Sequence, residues 1–568
     1  MQTPKYLNVL ISYKELFGTD GTQEEAKQLI AGINSATILY KFAHINLYMY
    51  LAQPGPEGKA LQLKMLKSFL SFTNIEFSKR FLVAINEVEA DGQWPAVFWE
   101  HSTLLFFDLI FENFVDGPVQ RLSEIETENI LKAYLIINSI TNNRFTVTQE
   151  EIQSAVELDK LEDIFLPHFI YQRDYESNLD FSNQLNRGVE LFKYLESSTV
   201  YRPYVQGYYN SLQVKDYKDL FYNTLTVWAQ AEIDGPVGDR RAQISFSQLL
   251  PLTNIAFIDT LAINGQLQNY KSDKSFTAIR QQPLFKIGPT EYLILDINFL
   301  NDKLYKGQLF SFNTFLKTNG YRGNFLSVKG KEFMEDIYFR ALMLRCFPTF
   351  KNLNGDEAVK IDGGELCDHY ARKVNKVLLI EFKDVLLNAD IKENADSAAI
   401  DLELNKKFMA NQSNSPKGIT QLYNAVKYLE TTDVVNDTLD RTSKTDIYPV
   451  IAYTDRSFGH DGINKKFRLE FRKLLEQDTW VNLHINDVCF VNLNYFEVHE
   501  QYLAGELIDI FKMFDEFGKY VDQPDNSLTR FEVFSRAYFE ENDLPDIKDN
   551  PIFASNVAAI MPQPNPEN

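Results

Sequence analysis

The sequence predicts an α+β protein of several domains, in which a large, mainly α-helical N-terminal region precedes an α/β domain built on a mixed sheet. Apolar residues recur at spacings of three and four through most of the first 275 residues, which is typical of amphipathic helices. The pattern becomes extended at 285–296, where the pair Gly288-Pro289 separates two apolar runs. Further on, four consecutive aliphatic residues from Val377 to Ile380 predict a buried strand.

Composition places the chain among globular proteins. It has 568 residues, of which 45% are hydrophobic, 14% aromatic and 24% charged, so there is ample apolar material for more than one core. The three cysteines are scattered and odd in number, which excludes a disulfide framework and favours a reducing compartment. No basic leader and no apolar run of membrane-spanning length is visible. We therefore expect a soluble cytoplasmic protein without a membrane partner.

The net charge of −21 at first argues against a nucleic-acid partner. Residues 325–474, however, contain 23 Lys+Arg and 23 Asp+Glu, so this stretch is neutral and the whole acidic excess lies in its flanks. An acidic helical flank suits a protein partner, but the same charge also serves general solubility. The charge pattern leaves both interpretations open.

The predicted organisation has five consecutive regions. Helical periodicity is clear at 26–50, 61–88 and 125–140, with a Pro- and Gly-rich loop at 54–58 and Thr148 as a candidate helix cap. The extended stretch at 285–296 predicts a hairpin that leads through a helix at 298–309 to the next domain. The regions are a helical region 1–175, a second mainly helical region 176–275, a hairpin and helix connector 276–324, an α/β domain 325–515, and a C-terminal segment 516–568 with a disordered tail from about 541.

The aliphatic run belongs to a predicted hairpin that carries three charged residues of interest. Asp368 lies on the first strand, a polar turn follows near 372–375, and the second strand ends in Glu381, Phe382 and Lys383. Period-two alternation places Glu381 and Lys383 on one face and Phe382 on the other. This prediction puts Asp368 near the turn and Glu381 at the far end of its strand, so that sheet twist has to bring the two carboxylates together.

Two neighbouring carboxylates repel each other unless a cation lies between them, and oxygen ligands of this kind suit Mg²⁺ or Mn²⁺. A metal held there can polarise a phosphoryl oxygen and lower the pKa of a bound water. A lysine on the same face can orient that water or stabilise negative charge on the phosphate. The alternative is an exposed hairpin in which Glu381 and Lys383 form a surface ion pair of little energetic value. Spacing alone leaves both open.

This motif resembles that of the PD-(D/E)xK, or restriction-endonuclease-like, nuclease superfamily. It consists of an Asp, a spacer of about a dozen residues, and Glu-x-Lys at the end of an aliphatic strand. The stretch from Lys329 to about Cys346 is similar to the first core helix of that superfamily, which often contributes an acid to the metal site. Glu332 and Glu335 are three apart on one helix face, and either could be that acid.

The resemblance continues downstream and covers about 325–500. A second amphipathic helix begins after Lys417 and carries Gln421 near its start, where several branches of the superfamily have a glutamine. Strands at 448–453 and 487–494 complete the mixed sheet. The chain departs from the family pattern in two places: Cys367 precedes the aspartate where the family name has proline, and Ala425 occupies the tyrosine position of the Gln-x-x-x-Tyr signature. The subfamily therefore stays open.

The resemblance implies a Mg²⁺- or Mn²⁺-dependent endonuclease that acts on nucleic acid, with DNA as the default substrate and restriction or antiviral defence as one setting. It implies that Asp368, Glu381, the carbonyl of Phe382 and either Glu335 or Glu332 hold the metal. Lys383 then positions the attacking water, and Gln421 orients substrate or water.

A strand-end loop at 455–466 offers basic residues to phosphates. The predicted nucleic-acid contacts are Arg456, Lys465, Lys466 and Lys417. The alternative function belongs to another class, a non-catalytic interaction or scaffold protein that keeps the nuclease fold and binds a protein through its acidic helical region. No His-x-x-x-His, Cys-x-x-Cys or phosphate-loop motif is present, which excludes a zinc site of those types and an ATPase motor.

Overall fold

The chain forms two compact units. Unit 1 comprises Met1–Thr146, Tyr175–Tyr321 and Ser555–Asn568, and unit 2 comprises Val147–Asp174 and Arg322–Ala554. This division differs from the five predicted regions, because residues 147–174 leave the helical region and join the unit that contains the sheet. The computed structural model describes residues 8–51, 56–144, 149–157, 161–175, 180–233, 242–246, 254–273, 275–355, 357–358, 365–393, 396–542, 544 and 550–561.

Unit 1 is mainly helical, as predicted. A strand pair joins Asn8–Leu10 to Trp94–Ala96 in parallel, and a three-stranded antiparallel sheet has the order Gln243–Ser245, Glu291–Ile294, Leu284–Lys286. Its helices are Tyr13–Phe17, Gln23–Ile30, Ser35–Leu51, Pro56–Leu70, Ile75–Ala90, Glu100–Glu112, Glu124–Arg144, Phe181–Ser197, Arg202–Ser211, Tyr217–Ile233, Ile255–Thr260, Thr277–Gln281, Ile297–Asp302 and Lys306–Thr318, with a 3₁₀ segment at Ile263–Asn269.

The hairpin predicted at 285–296 is confirmed, but the helix predicted at 298–309 is two helices. The first ends at Asp302 and the second begins at Lys306. Between them Lys303, Leu304 and Tyr305 donate their backbone N–H groups to carbonyls three residues back, which closes the first helix in a tight turn. Thr148 and residues 54–55 of the Pro- and Gly-rich loop predicted at 54–58 lie outside the described residues, and Pro56 already begins a helix.

Unit 2 contains the predicted mixed sheet. Antiparallel pairing joins Lys351–Asn354 to His369–Lys373 and His369–Lys373 to Lys376–Lys383. Lys376–Lys383 then pairs in parallel with Thr445–Tyr453, which in turn pairs in parallel with both Leu483–Ile485 and Cys489–Asn492. The strands predicted at 448–453 and 487–494 are therefore confirmed, with slightly different ends.

A continuous helix at 325–346 precedes the sheet and consists of Phe325–Lys329, a π-helical segment Gly330–Phe339 and Arg340–Cys346. The helix predicted near Gln421 is Gly418–Thr431. None of the helices in the described part of the chain is long and apolar enough to cross a bilayer. The other helices of unit 2 are Gln149–Glu157, Leu161–Tyr175, Ala389–Glu393, Ser397–Phe408, Ile463–Leu475, Leu493–Val498, Glu500–Ala504, Ile510–Val521 and Phe531–Glu541, with 3₁₀ turns at Arg456–Gly459 and Pro524–Asn526.

The core of unit 2 explains why residues 147–174 belong to it. The sheet packs one face against Gly418–Thr431, with Val377 and Leu379 fully buried in that layer. Leu166 and Ile170, from the helix Leu161–Tyr175, are buried in the same core. Apolar burial of this kind is non-directional and depends on the area removed from water, so a sequence-distant helix can complete the core.

The opposite face of the strand Lys376–Lys383 is covered by the helix at 325–346. The ring of Phe382 stacks on that of Phe339, with centroids 4.5 Å apart and planes 10° from parallel. Alternation along the strand therefore sends Phe382 toward this helix and sends Glu381 and Lys383 toward Gly418–Thr431. The predicted facing of these three residues is confirmed.

The C-terminal segment is more ordered than predicted. Phe531–Glu541 is a helix with Phe531 fully buried, and Pro551–Ile560 is a helix in the stretch predicted to be a disordered tail. Within unit 1, Asn556 Nδ2 donates a 2.9 Å hydrogen bond to Asn186 Oδ1. The Pro- and Asn-rich end, residues 562–568, lies outside the described residues.

Candidate metal centre

Three carboxylates meet at one end of the hairpin in unit 2. One oxygen each from Glu335, Glu365 and Asp368 lies within 4.8 Å of the other two. Glu335 comes from the π-helical segment, and Asp368 directly precedes the strand His369–Lys373. Asp368 and Glu335 are predicted site residues, whereas Glu365 is not. Oxygen ligands at this separation can hold a divalent cation.

The predicted position of Asp368 along the hairpin is wrong. The turn is at Val374-Asn375, and Asp368 lies at the opposite end of its strand. His369 pairs with Ile380, so one further step of the antiparallel register puts Asp368 across from Glu381. Asp368 Oδ2 also accepts a 2.6 Å hydrogen bond from the backbone N–H of Phe382. The register alone brings the two carboxylates to the same end, and no twist is needed.

Lys383 and Gln421 join Glu381 in one hydrogen-bonded chain. Lys383 Nζ donates to Glu381 Oε1 at 2.6 Å and to Gln421 Oε1 at 3.2 Å. The same oxygen of Gln421 accepts a 2.7 Å hydrogen bond from the backbone N–H of Gly418, in the first turn of its helix. The ammonium group is therefore held from two sides, by a strand residue and by a helix residue.

The electrostatics of the site show an excess of negative charge. The side chain of Glu381 is only 2% exposed, and burial together with the charge of Asp368 raises its pKa to about 7 despite the Lys383 ammonium. Burial and the charge of Asp368 likewise raise the pKa of Glu335 to about 8. Burial lowers the pKa of Lys383, but Glu381 and Asp368 outweigh it, so the net shift is upward. Carboxyl groups that are this reluctant to ionise are ones that a bound cation would stabilise.

Lys331 already supplies part of that positive charge. Its Nζ forms an ion pair with Glu335 and lies 3.5 Å from Glu365 and 3.4 Å from Asp336. Its side chain is 49% exposed, so it can move away into solvent at little cost when a stronger cation arrives. The ammonium of Lys331 thus lies over the outer edge of the carboxylate cluster.

Local helix geometry separates Glu332 from Glu335. Glu335 belongs to the carboxylate cluster, whereas Glu332 is exposed and lies outside it. The prediction treated them as neighbours on one α-helical face. In the π-helical segment hydrogen bonds close over five residues, so a turn is wider and residues three apart no longer share a face.

We expect Glu335→Gln to weaken Mn²⁺ binding by about tenfold or more. Loss of a carboxylate that binds the metal should lower the affinity at least as much as loss of a residue that only hydrogen-bonds to a ligand. The exposed Glu332→Gln, three residues away on the same helix, is the matched control and should bind Mn²⁺ as the unmodified protein does. Titration calorimetry on both variants measures the difference. Equal weakening in the two variants, or none in either, would remove Glu335 from the ligand set.

Metal binding should depend on pH. Both Glu335 and Glu381 have raised pKa values in the fold, so the folded protein holds protons that the unfolded chain releases near its ordinary, lower pKa. The stability that these groups contribute is present in mild acid and is lost as pH rises through about 7 to 8. Divalent metal competes with those protons, so the rise in melting temperature on adding Mn²⁺ should be larger at about pH 8.5 than at about pH 6. Thermal melts at both values, with and without metal, test this.

Two of the four predicted nucleic-acid contacts are engaged in ion pairs with acidic residues. Lys465 and Lys466 were placed in a loop, but they lie in the helix Ile463–Leu475. Lys465 is ion-paired with Glu162 at 3.0 Å, and Lys466 is ion-paired with Asp401, so both charges are already neutralised. Their contact with phosphates stays a prediction.

The other two basic residues lie at the starts of helical turns. Arg456 begins the 3₁₀ turn Arg456–Gly459 and is half-buried. Lys417 occupies the N-cap position of the helix Gly418–Thr431, four residues before Gln421, and its Nζ makes no ion pair within the described parts of unit 2. Of the four, Lys417 is therefore nearest in the chain to a residue of the Lys383 hydrogen-bonded group.

No family model, curated protein or solved structure matches this chain. The resemblance to the PD-(D/E)xK superfamily therefore stays a prediction that rests on the residues themselves.

Two features went beyond the sequence prediction. Glu365 lies in a loop three residues before Asp368, and a loop residue carries no periodicity that could assign it a direction. The sequence indicated Lys331 only as part of the start of a helix.

The donor set of three carboxylates, next to a buried Glu381–Lys383 pair, fits a hard divalent cation better than a soft transition metal, because it offers oxygen alone.

Proposed function

We propose that unit 2 is a metal-dependent nuclease of the PD-(D/E)xK type, which hydrolyses phosphodiester bonds in nucleic acid, with DNA as the expected substrate. One observation carries the proposal: the cluster of Glu335, Glu365 and Asp368 adjoins a buried Glu381–Lys383 pair at the same end of a hairpin. A surface ion pair needs no such burial and no further acids. The alternative reading of Glu381 and Lys383 as an exposed pair is therefore disfavoured, because their side chains are 2% and 12% exposed.

In this proposal Asp368, Glu335 and Glu365 hold Mg²⁺ or Mn²⁺, with Glu381 across the hairpin from Asp368. The bound ion would polarise the phosphate and lower the pKa of a water molecule. Asp368 is kept in position by the N–H of Phe382, so its second oxygen is available for a ligand. The predicted role of the Phe382 carbonyl stays a prediction.

Lys383 supplies the positioned proton donor and positive charge. Its ammonium is anchored by Glu381 and Gln421, and it can hold a water molecule or stabilise charge on a phosphate oxygen without a large loss of side-chain entropy. Gln421 acts on the reaction through Lys383 in this account, since its Oε1 contacts the ammonium and its own helix start. It is a positioning residue rather than a catalytic one.

The order of elements also supports the proposal. A helix at 325–346 is followed by three strands paired antiparallel, then by the helix Gly418–Thr431 and by Thr445–Tyr453, which pairs in parallel with the central strand. The helix, the hairpin, the second helix and the parallel strand follow in the order that the resemblance implied, whereas the strand Lys351–Asn354 was not predicted. A role in restriction or antiviral defence rests on the resemblance alone.

The test is cleavage by the full-length protein. Supercoiled plasmid, linear DNA and RNA are each incubated with Mg²⁺, Mn²⁺ or EDTA, beside a Glu381→Ala/Lys383→Ala variant. We expect cleavage that requires metal, prefers DNA and is lost in the variant. Metal binding without cleavage of any of the three substrates would favour the interaction or scaffold protein, and neither metal binding nor cleavage would remove the nuclease proposal.

A further inference from the structure

Unit 1 contains a cavity of about 610 Å³ that the proposed nuclease does not use. It lies between the helices Ser35–Leu51 and Pro56–Leu70 and is closed on a third side by residues 119–122. Cavities of this size hold small organic ligands. It opens to solvent beside the exposed side chains of Lys64 and Phe72.

The interior of the cavity is apolar. Ile45, Met65 and Phe69 are buried and line it, and Leu61 and Leu122 complete that surface. Phe72 at the mouth is 52% exposed. The interior therefore favours an apolar body over a hydrated one.

The mouth carries unpaired positive charge. Lys41, Lys64 and Arg121 line the cavity, and no Asp or Glu is among its described lining residues. None of the three makes an ion pair within the described part of unit 1. Elsewhere in the same unit, lysines find acidic partners, as Lys79 does with Glu76 at 2.9 Å. Three cations without a counter-ion among the residues that the structure describes, in a chain of net charge −21, indicate a site for an anion.

Lys41 is the best placed of the three. It is half-buried, and its Nζ lies 5.3 Å from the ring centroid of Phe69 and 6.0 Å from that of Phe72. Burial lowers the pKa of its ammonium group, because no carboxylate compensates the lost hydration. The two aromatic rings offset only part of that loss. An anion bound there would recover more of it.

The third wall is preformed. The backbone N–H of Gln120 donates a 2.9 Å hydrogen bond to Thr37 Oγ1, and Thr37 itself is tied to Asn34 Oδ1 through its own N–H at 3.0 Å. This pair of bonds fastens the segment that carries Arg121 to the helix that carries Lys41. The backbone segments that carry the two cations are therefore held together without a ligand, which reduces the ordering cost of binding.

We propose that this cavity binds a small amphiphilic organic anion, with one phosphate, sulfonate or carboxylate group held by Lys41 and Arg121 and an apolar body packed on Met65 and Phe69. The site is independent of the nuclease proposal, since it uses no residue of unit 2. Charge complementarity selects the head group, and the apolar interior selects the body.

The probe for the test is the anionic dye 1-anilinonaphthalene-8-sulfonate, with the uncharged N-phenyl-1-naphthylamine as its neutral counterpart, both titrated into the full-length protein by fluorescence. We expect saturable binding of the anionic dye that weakens with added salt. A Lys41→Met/Arg121→Gln variant should lose about tenfold or more in affinity for it, the effect of one charge-assisted contact or more. Lys79→Met, an exposed lysine of the same unit, is the matched control and should change nothing.

Binding of the neutral dye should be the same in all three proteins, which also shows that the variant keeps its fold. Equal affinity of the anionic dye for the unmodified protein and the double variant would overturn the proposal, as would the absence of saturable binding. Competition with decyl phosphate and with decanoate then distinguishes the head groups: displacement by either one supports the site and names its class, whereas displacement by neither overturns it.

Discussion

Asp368→Asn is expected to abolish metal-dependent cleavage while leaving the fold intact. Asp368 is the one carboxylate that both belongs to the three-acid cluster and lies across the hairpin from Glu381. We expect divalent-metal affinity to fall by about a hundredfold or more, and cleavage by about a thousandfold or more. Asparagine is nearly the same size, and its Oδ1 can still accept the hydrogen bond from the N–H of Phe382.

The fold should not lose stability in this variant, because the negative charge of Asp368 is part of what raises the pKa values of Glu335 and Glu381. Removing it relieves a repulsion, so the metal-free variant should melt at or above the temperature of the unmodified protein at neutral pH. Asp336→Asn, an exposed carboxylate beside Lys331, is the matched control. Retained cleavage in Asp368→Asn, or loss in both variants, would contradict the assignment.

Lys383→Met should stop cleavage but preserve metal binding by the three carboxylates. The ammonium donates hydrogen bonds to both Glu381 and Gln421, and its removal deletes this positioned donor. We expect a loss of about a hundred- to ten-thousandfold in rate, the range seen for general acid–base groups. Calorimetry with Mn²⁺ beside the cleavage assay separates the two effects. A variant that still cleaves would exclude Lys383 from the chemistry.

The same variant makes a prediction about stability and pH. Without the ammonium, the pKa of the buried Glu381 rises further, so the carboxyl holds a proton in the folded protein at neutral pH. The variant should therefore lose little stability relative to the unmodified protein in mild acid, and the loss should grow as pH rises. At high pH it should approach the cost of an unpaired buried charge, about 3 to 5 kcal/mol. Lys373→Met, an exposed lysine of the same hairpin paired with Glu506, is the control and should show no such dependence.

Much of unit 2 was predictable because local sequence signals agree with the packing. The aliphatic run at Val377–Ile380 and the amphipathic helix Gly418–Thr431 are both buried as predicted. The direction of Glu381 and Lys383 followed from alternation alone. These features depend on the spacing of apolar residues along the chain, which can be read directly from a sequence.

The errors arise where geometry depends on distant or unusual backbone. The hairpin turn was predicted in the right place, because Val374-Asn375 lies within 372–375. Asp368 was misplaced because the antiparallel register was not counted outward from that turn, and this register puts Asp368 opposite Glu381. The π-helical segment hid the difference between Glu332 and Glu335, since α-helical spacing was assumed.

Long-range contacts account for the remaining differences. The helix Leu161–Tyr175 joins unit 2 through Leu166 and Ile170, which bury against residues far away in sequence. The pairing of Lys465 with Glu162 likewise joins positions about three hundred residues apart. No local sequence pattern predicts such a distant partner. Lys465 was therefore predicted to be available for a phosphate contact.

The most direct test of the central claim is the Mg²⁺ dependence of the plasmid cleavage rate, measured for the unmodified protein, Glu335→Gln and Glu332→Gln. If the carboxylate cluster holds the metal that drives cleavage, the Mg²⁺ concentration for half-maximal rate rises by about tenfold or more in Glu335→Gln and is unchanged in Glu332→Gln. Cleavage that needs no Mg²⁺, or the same Mg²⁺ dependence in all three proteins, would contradict the claim.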